Sequence, residues 1–83
     1  MKTLTIYSTP TCGNCKEAKQ YLNSLGIEYQ DVDLTQDSNS MSFIRSQGHR
    51  TVPQIYLGEQ QFVTGLNELK KLSAQEILQK INT

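Results

Sequence analysis

No apolar run in this chain approaches the roughly 20 residues that a membrane-spanning helix needs, and neither sign of charge dominates. Eight lysines and arginines balance eight aspartates and glutamates, for a formal net charge of zero. A general nucleic-acid or membrane-surface binder carries a basic surplus, so neither nucleic acid nor a membrane is an expected partner. Met1-Lys2 leads into a strand-like alternation, not into the apolar core and small-residue cleavage site of a signal peptide. Internal repeats, linkers and low-complexity segments are lacking as well. With 83 residues there is room for one domain, residues 1–83. Its core should be modest, since a chain of this size buries about 60–65% of its unfolded surface. The expectation is a soluble protein of the cytoplasm.

Cysteine is scarce too. A secreted disulfide scaffold of this length usually carries four, six or eight, and this chain has two, Cys12 and Cys15. A bond between residues so close closes almost no loop and would stabilise the fold very little. In a reducing compartment such a pair points to catalysis or to metal binding.

What is present reads as alternating strands and helices. Thr3 to Ser8 has a strand pattern, with Leu4 and Ile6 on one face and Thr5 and Tyr7 on the other. Thr9-Pro10-Thr11 interrupts it. From Cys12 to Leu25 the set Cys15, Ala18, Leu22 and Leu25 recurs at helical spacing, and Gly26 stands where a left-handed residue would end that helix. Glu28 to Leu34 looks extended, Thr35 to Ser40 is loop and cap material, and Met41, Phe43 and Ile44 suggest a short helix stopping at Gly48. Gln54–Leu57 and Gln61–Thr64 flank a Gly58-Glu59 turn as a hairpin. Leu66, Leu69 and Leu72 form a stripe, and Ser73 to Glu76 has capping-box spacing ahead of Ile77, Leu78 and Ile81. The order β-α-β-α-β-β-α predicts an α/β fold. A right-handed βαβ start and a closing hairpin give a mixed four-stranded sheet flanked by about three helices, lying on both faces.

Thr11-Cys12-Gly13-Asn14-Cys15 spans the junction of the first strand and first helix. Thiol–disulfide exchange needs a thiolate, which an ordinary cysteine with a pKa near 8.5 supplies poorly at neutral pH. A helix N-terminus offers unpaired N–H groups and a positive dipole end, both favouring an anion on the first cysteine. One unit of depression corresponds to about 1.4 kcal/mol, within reach of these effects. Three-residue spacing puts Cys15 one turn away, near enough to attack a mixed disulfide. Cys12 is therefore the expected nucleophile and Cys15 the resolving thiol, with Lys16 and Lys19 adding a weak positive field. Zinc is the competing reading: a structural site needs four ligands, and His49 is the one further strong candidate in a chain with no second CxxC. Two CxxC motifs paired across a dimer, around zinc or an iron–sulfur cluster, also remain open. By position alone, Tyr7 and Tyr56 are half-buried sheet residues, His49 is a solvated loop residue, and Pro53 is a strand-starting proline with about a 5–6% prior of a cis bond.

CxxC at the end of the first strand, Thr51-Val52-Pro53-Gln54-Ile55 opening a later strand, and Gly65 before the final helical region together resemble the glutaredoxins, which have a thioredoxin-like fold. The resemblance covers nearly the whole chain in length, element order and motif spacing. It implies a cis Val52–Pro53 bond facing the dithiol, with the Val52 backbone pairing an extended substrate. It implies that Thr51, Val52 and Gly65 line a groove for glutathione's backbone and carboxylate. Tyr7 matches a tyrosine common at the end of the first strand. Thr11, Asn14, Arg50, Pro53, Thr64, Leu66 and Asn67 complete the substrate groove that the resemblance implies for glutathione or a peptide, Arg50 as partner of a substrate carboxylate. No metal ligand and no tightly bound cofactor are expected; glutathione is the implied co-substrate and the protein a monomer.

Several positions depart from the family pattern. Gly13 and Asn14 replace the frequent proline and tyrosine, and Thr9 stands where a lysine is common. Thr64-Gly65-Leu66-Asn67 lacks one glycine and the carboxylate that would meet glutathione's α-ammonium. A charged hydrogen bond of this kind is worth about 1.5–3 kcal/mol, or roughly ten- to a hundredfold in affinity, so weakened glutathione binding is expected. Gln47-Gly48-His49-Arg50 and Thr64-Gly65 are similar to the glutaredoxin-like hydrogen donors of ribonucleotide reductase, which thioredoxin reductase reduces, although Val63 replaces their aromatic residue. Gly13 also leaves room for a dimer bridged by a [2Fe–2S] cluster. The reading adopted is a dithiol glutaredoxin reducing protein disulfides or glutathione mixed disulfides, with ribonucleotide reductase as a possible electron acceptor and glutathione or thioredoxin reductase as reductant.

Overall fold

The alternation at the start of the chain produces strand β1, Leu4–Ser8, in a computed structural model that describes residues 3–58 and 60–82, with Thr64 described by its backbone alone. Leu4 and Ile6 are buried on one face, and Tyr7 points to the other. Helix α1, Gly13–Ser24, lays Cys15, Ala18 and Leu22 against the first face, all fully buried. It ends through Leu25, followed by Gly26 in the left-handed conformation. Strand β2, Gln30–Asp33, is shorter than the extended pattern from Glu28 suggests. Its pairing with β1 begins only at Thr5 and Gln30.

Helix α2, Ser38–Ser46, begins earlier than expected, because the polar run before it is itself the first turn. The Asp37 carboxylate accepts the Asn39 and Ser40 backbone N–H groups at 3.1 and 3.2 Å, and the Ser40 hydroxyl at 2.9 Å. These bonds, that of the Ser40 hydroxyl foremost, hold the Asp37 carboxyl below its ordinary value. Serines and an asparagine are poor helix formers in mid-helix but good ones at a cap, and periodicity of apolar residues cannot see that. At the other end the Gly48 N–H donates to the Arg45 carbonyl at 3.0 Å and the His49 N–H to the Ile44 carbonyl at 3.3 Å. This is a Schellman closure, and it needs Gly48 at φ 84°.

Strands β3, Gln54–Leu57, and β4, Gln60–Thr64, form the hairpin. Its turn partner Glu59 lies outside the described residues. Ile55 pairs with Val63 and Tyr56 with Gln61, so Phe62 is the extra residue of a bulge. The helical tail is two helices and not one: α3, Leu66–Lys70, and α4, Ala74–Ile81. That makes four helices in place of about three. The break is the capping box itself. Ser73 Oγ accepts the Glu76 N–H and Glu76 Oε1 accepts the Ser73 N–H, both at 3.2 Å. An N-cap residue has non-helical dihedrals, and Ser73 at φ −80°, ψ 165° cannot continue a preceding helix.

The sheet order is β2-β1-β3-β4, with β1–β2 parallel and the other pairs antiparallel. Strand parity then sorts the core into two layers. Leu4, Ile6, Ile55 and Leu57 face α1, α3 and α4 through Ala18, Leu22, Leu66, Leu69 and Ile77. Tyr7 and Tyr56 face α2, where they meet Leu34, Ile44, Met41 and Phe43. A hydrogen bond of 2.6 Å from the Tyr21 hydroxyl to the Leu72 carbonyl ties α1 to the α3–α4 junction. Among the described residues, no helix is long and apolar enough to cross a membrane.

Candidate active site

Cys12 is the N-cap of α1, in extended backbone conformation at φ −91°, ψ 110°. The Thr9-Pro10-Thr11 turn sets that conformation: the Cys12 N–H donates back to the Thr9 carbonyl at 3.3 Å, while the Cys12 carbonyl accepts Lys16 N–H at 3.2 Å and starts the helix. A serine or aspartate oxygen usually caps a helix. Here the Cys12 sulfur does so, accepting the Cys15 N–H at 3.1 Å. The sulfur is thus held against one of the N–H groups that the helix leaves unpaired, in the positive end of the helix field. Its own S–H donates to the Val52 carbonyl at 3.7 Å.

Cys15, one turn on, is 0% exposed whereas Cys12 is partly open. Burial pushes the Cys15 thiol up to about 12. Its hydrogen bond with Cys12 adds to the rise, and the Thr9 backbone and Lys19 oppose it. The two thiols are free, three residues apart and differently solvated. Lys19 is less available as a positive field than its spacing suggests. Its ammonium lies 2.8 Å from Asp31, whose other carboxylate oxygen accepts the Ser8 hydroxyl at 3.1 Å.

Facing Cys12 is the segment Thr51-Val52-Pro53, with a cis Val52–Pro53 bond. Gln54 fixes it. That side chain is buried on β3, and its Nε2 donates to the Thr51 carbonyl at 2.8 Å, while its Oε1 accepts Gln61 Nε2 at 3.3 Å. Gln54 stands in the sequence motif but carried no assigned role; a polar residue in an otherwise apolar strand is the signal that marks it. Gly65 closes the far side: its N–H donates to the Pro53 carbonyl at 3.0 Å from φ 88°, ψ 166°, a region essentially confined to glycine.

The structure therefore brings Cys12, Cys15, Thr51, Val52, Pro53 and Gly65 together. Thr11 and Asn14 are exposed on either side of Cys12. The backbone of Thr64 pairs with Gln54, and its side chain lies outside the described residues. Leu66 turns its side chain into the main core, and Asn67 is exposed. Arg50 is exposed immediately before Thr51. Tyr7 is half-buried, 5.5 Å from Tyr56 and 6.0 Å from Phe43 by ring centroids. Tyr56, expected half-buried, is 2% exposed because both α2 and His49 cover it. Burial raises both tyrosine hydroxyls above their ordinary pKa. His49 is more than a solvated loop residue: its Nε2 lies 2.8 Å from the Tyr56 hydroxyl.

Comparison with known proteins places this geometry. The profile of the Glutaredoxin family matches residues 4–63. A glutaredoxin of Neisseria meningitidis is 35% identical over 78 residues, covering 90% of this chain and 89% of that protein. Hybrid peroxiredoxin hyPrx5 of Haemophilus influenzae is 30% identical over 73 residues, which is 88% of this chain but 30% of that longer protein. Among solved structures, buckwheat glutaredoxin in complex with glutathione superposes with a TM-score of 0.70 at 25% identity, over 98% of this chain and 74% of that one. The glutaredoxin-like NrdH-redoxin of Escherichia coli shares the fold, with a TM-score of 0.74 at 20% identity over 86% and 95% of the two chains.

Proposed function

Because the chain belongs to the glutaredoxin family, and is thereby a thiol–disulfide oxidoreductase, we propose that it works by a dithiol cycle through Cys12 and Cys15. Cys12 attacks one sulfur of a target disulfide, forming a Cys12–target bond while the other target sulfur leaves as a thiolate and takes a proton. Cys15 then loses its proton and attacks Cys12 Sγ. The Cys12–Cys15 disulfide forms, the target leaves as a thiol, and two electrons have passed from the dithiol to the target. The observation that carries this division of labour is the contrast between the capping, accessible sulfur of Cys12 and the buried, strongly proton-retaining thiol of Cys15.

Targets are extended protein or glutathione mixed disulfides, lying along Thr51–Pro53 and Gly65 in a cytoplasmic setting where the dithiol is kept reduced. Ribonucleotide reductase is one such acceptor by chemistry. Assays on a hydroxyethyl-disulfide and glutathione mixture, and on insulin, test the activity: turnover in at least one is expected, and turnover in neither would sink the reading. A second reading concerns the reductant alone. Asn67 offers no carboxylate to glutathione's ammonium, which favours thioredoxin reductase as the electron source. Oxidised protein mixed separately with glutathione and with thioredoxin reductase distinguishes the two by which restores the free thiols.

A further inference from the structure

Beside the groove is a second feature that the dithiol cycle does not use. Arg45, Gly48, His49 and Arg50 line a solvent-open hollow of about 520 Å3 where α2 ends. The chain as a whole is neutral, so this clustering of cationic side chains is local. Among the described residues the ion pairs engage Lys19, Lys70 and Lys71, and neither arginine. Arg45, in the last turn of α2, complements the helix dipole, but that does not explain Arg50 and His49 sharing the same hollow.

The hollow is also built on fixed backbone. The Schellman closure at Gly48 sets the direction of the chain leaving α2. His49 is pinned to the buried Tyr56 by a 2.8 Å hydrogen bond and an edge-on ring contact with centroids 5.9 Å apart. Arg50 then stands two residues before Val52, whose carbonyl lies 3.7 Å from Cys12 Sγ. Two residues of extended chain reach about 7 Å. A substrate strand lying beside Val52 would bring its third or fourth residue from the reacting cysteine over the hollow.

On the oxidoreductase reading above, we infer that this hollow is a docking site for an acidic segment of the protein being reduced, with aspartate or glutamate a few residues from its reactive cysteine. Guanidinium groups take carboxylates through paired N–H donors, and opposite charge at the edge of a site speeds correct encounter. The occupant is a protein segment and not glutathione, since the lining runs back from Arg50 to Arg45 in the last turn of α2, beyond the Thr51–Pro53 segment that meets the dithiol.

The test compares two disulfide-linked peptides, identical except for glutamate or glutamine at the third and fourth positions from cysteine. Wild-type protein should reduce the glutamate peptide several-fold more efficiently at low salt, and the preference should fade at high salt. R45Q should lower kcat/KM for the glutamate peptide about two- to fivefold, the scale of one exposed ion pair. Its kcat/KM for the glutamine peptide and for a glutathione mixed disulfide should change less. Equal rates on both peptides, or an equal loss with R45Q on both, would overturn the docking site while leaving the oxidoreductase intact. An equal loss on the glutathione substrate would assign the hollow to a small carboxylate and so overturn the protein-segment occupant. Reduction of neither peptide would instead strike the oxidoreductase reading. The docking site is then decided by amide shifts of Arg45, Gly48 and Arg50 on adding a serine-for-cysteine glutamate peptide: shifts uphold it, and none overturns it.

Discussion

Cys12 and Cys15 begin as equal thiols, and the chain treats them differently. Cys12 occupies the one position where a side chain must serve the helix end, so its sulfur meets an N–H from Cys15 at 3.1 Å. Cys15 falls on the buried stripe of the same helix, and burial pushes its thiol from 9.0 to about 12. The sign of the resulting pH dependence follows. An unfolded chain releases this proton near 9.0 and the folded one near 12, so between those values the unfolded state binds fewer protons. Reduced protein should lose stability as pH rises from about 9 to 12, and C15S should flatten that slope. Urea unfolding at several alkaline pH values measures it; an unchanged slope in C15S would contradict the burial of this thiol. The placement of Cys12 at the helix start and of Cys15 on its buried stripe was legible in the sequence because helix starts and helical spacing are local. The Gln54 bond to Thr51 and the His49 bond to Tyr56 were not: their partners are near in sequence, but each bond depends on the irregular path of the chain between α2 and β3, which no periodic pattern encodes.

At the scale of elements, the helix ends hold the active-site loops in place, and most of them rest on short-range rules. Ser73→Ala removes the cap of α4 and should cost about 1 kcal/mol, lowering Tm by about 4–8 °C in a domain of this size. Gly48→Ala meets open space around the added methyl group, with nothing within 4 Å, so its penalty is backbone strain alone. About 1–2 kcal/mol is expected, and calorimetry of both variants checks the pair. A loss at Gly48 no larger than that of an ordinary surface change would show that the loop relaxes. The sequence showed the capping box but not that it divides the tail, since the stripe of Leu66, Leu69 and Leu72 runs straight up to it. Similarly the start of α2 was hidden, because its first turn is polar and recognisable only through the bonds that Asp37 makes.

For the whole molecule, one sheet separates two unlike cores, and the dithiol sits just beyond the C-terminal end of the central strand β1. The aliphatic layer under α1 carries most of the buried side chains. Leu22→Ala there should cost about 2–5 kcal/mol, against a total of about 4–12 kcal/mol for a chain of this length. Chemical denaturation should find the midpoint of this variant clearly lowered, and an unchanged midpoint would contradict the packing of Leu22. Topology was legible at this scale: a βαβ unit followed by a hairpin leaves few arrangements of four strands. The hollow lined by Arg45 and His49 was not, since it arises where α2 stops against β3. The account's central claim concerns which sulfur reacts first, and trapping tests it directly. C15S and C12S, each reacted with one equivalent of a peptide disulfide, are digested and mapped by mass spectrometry. C15S should accumulate a stable adduct on Cys12, and C12S should form none; an adduct on Cys15, or electron transfer by C12S at the native rate, would contradict it.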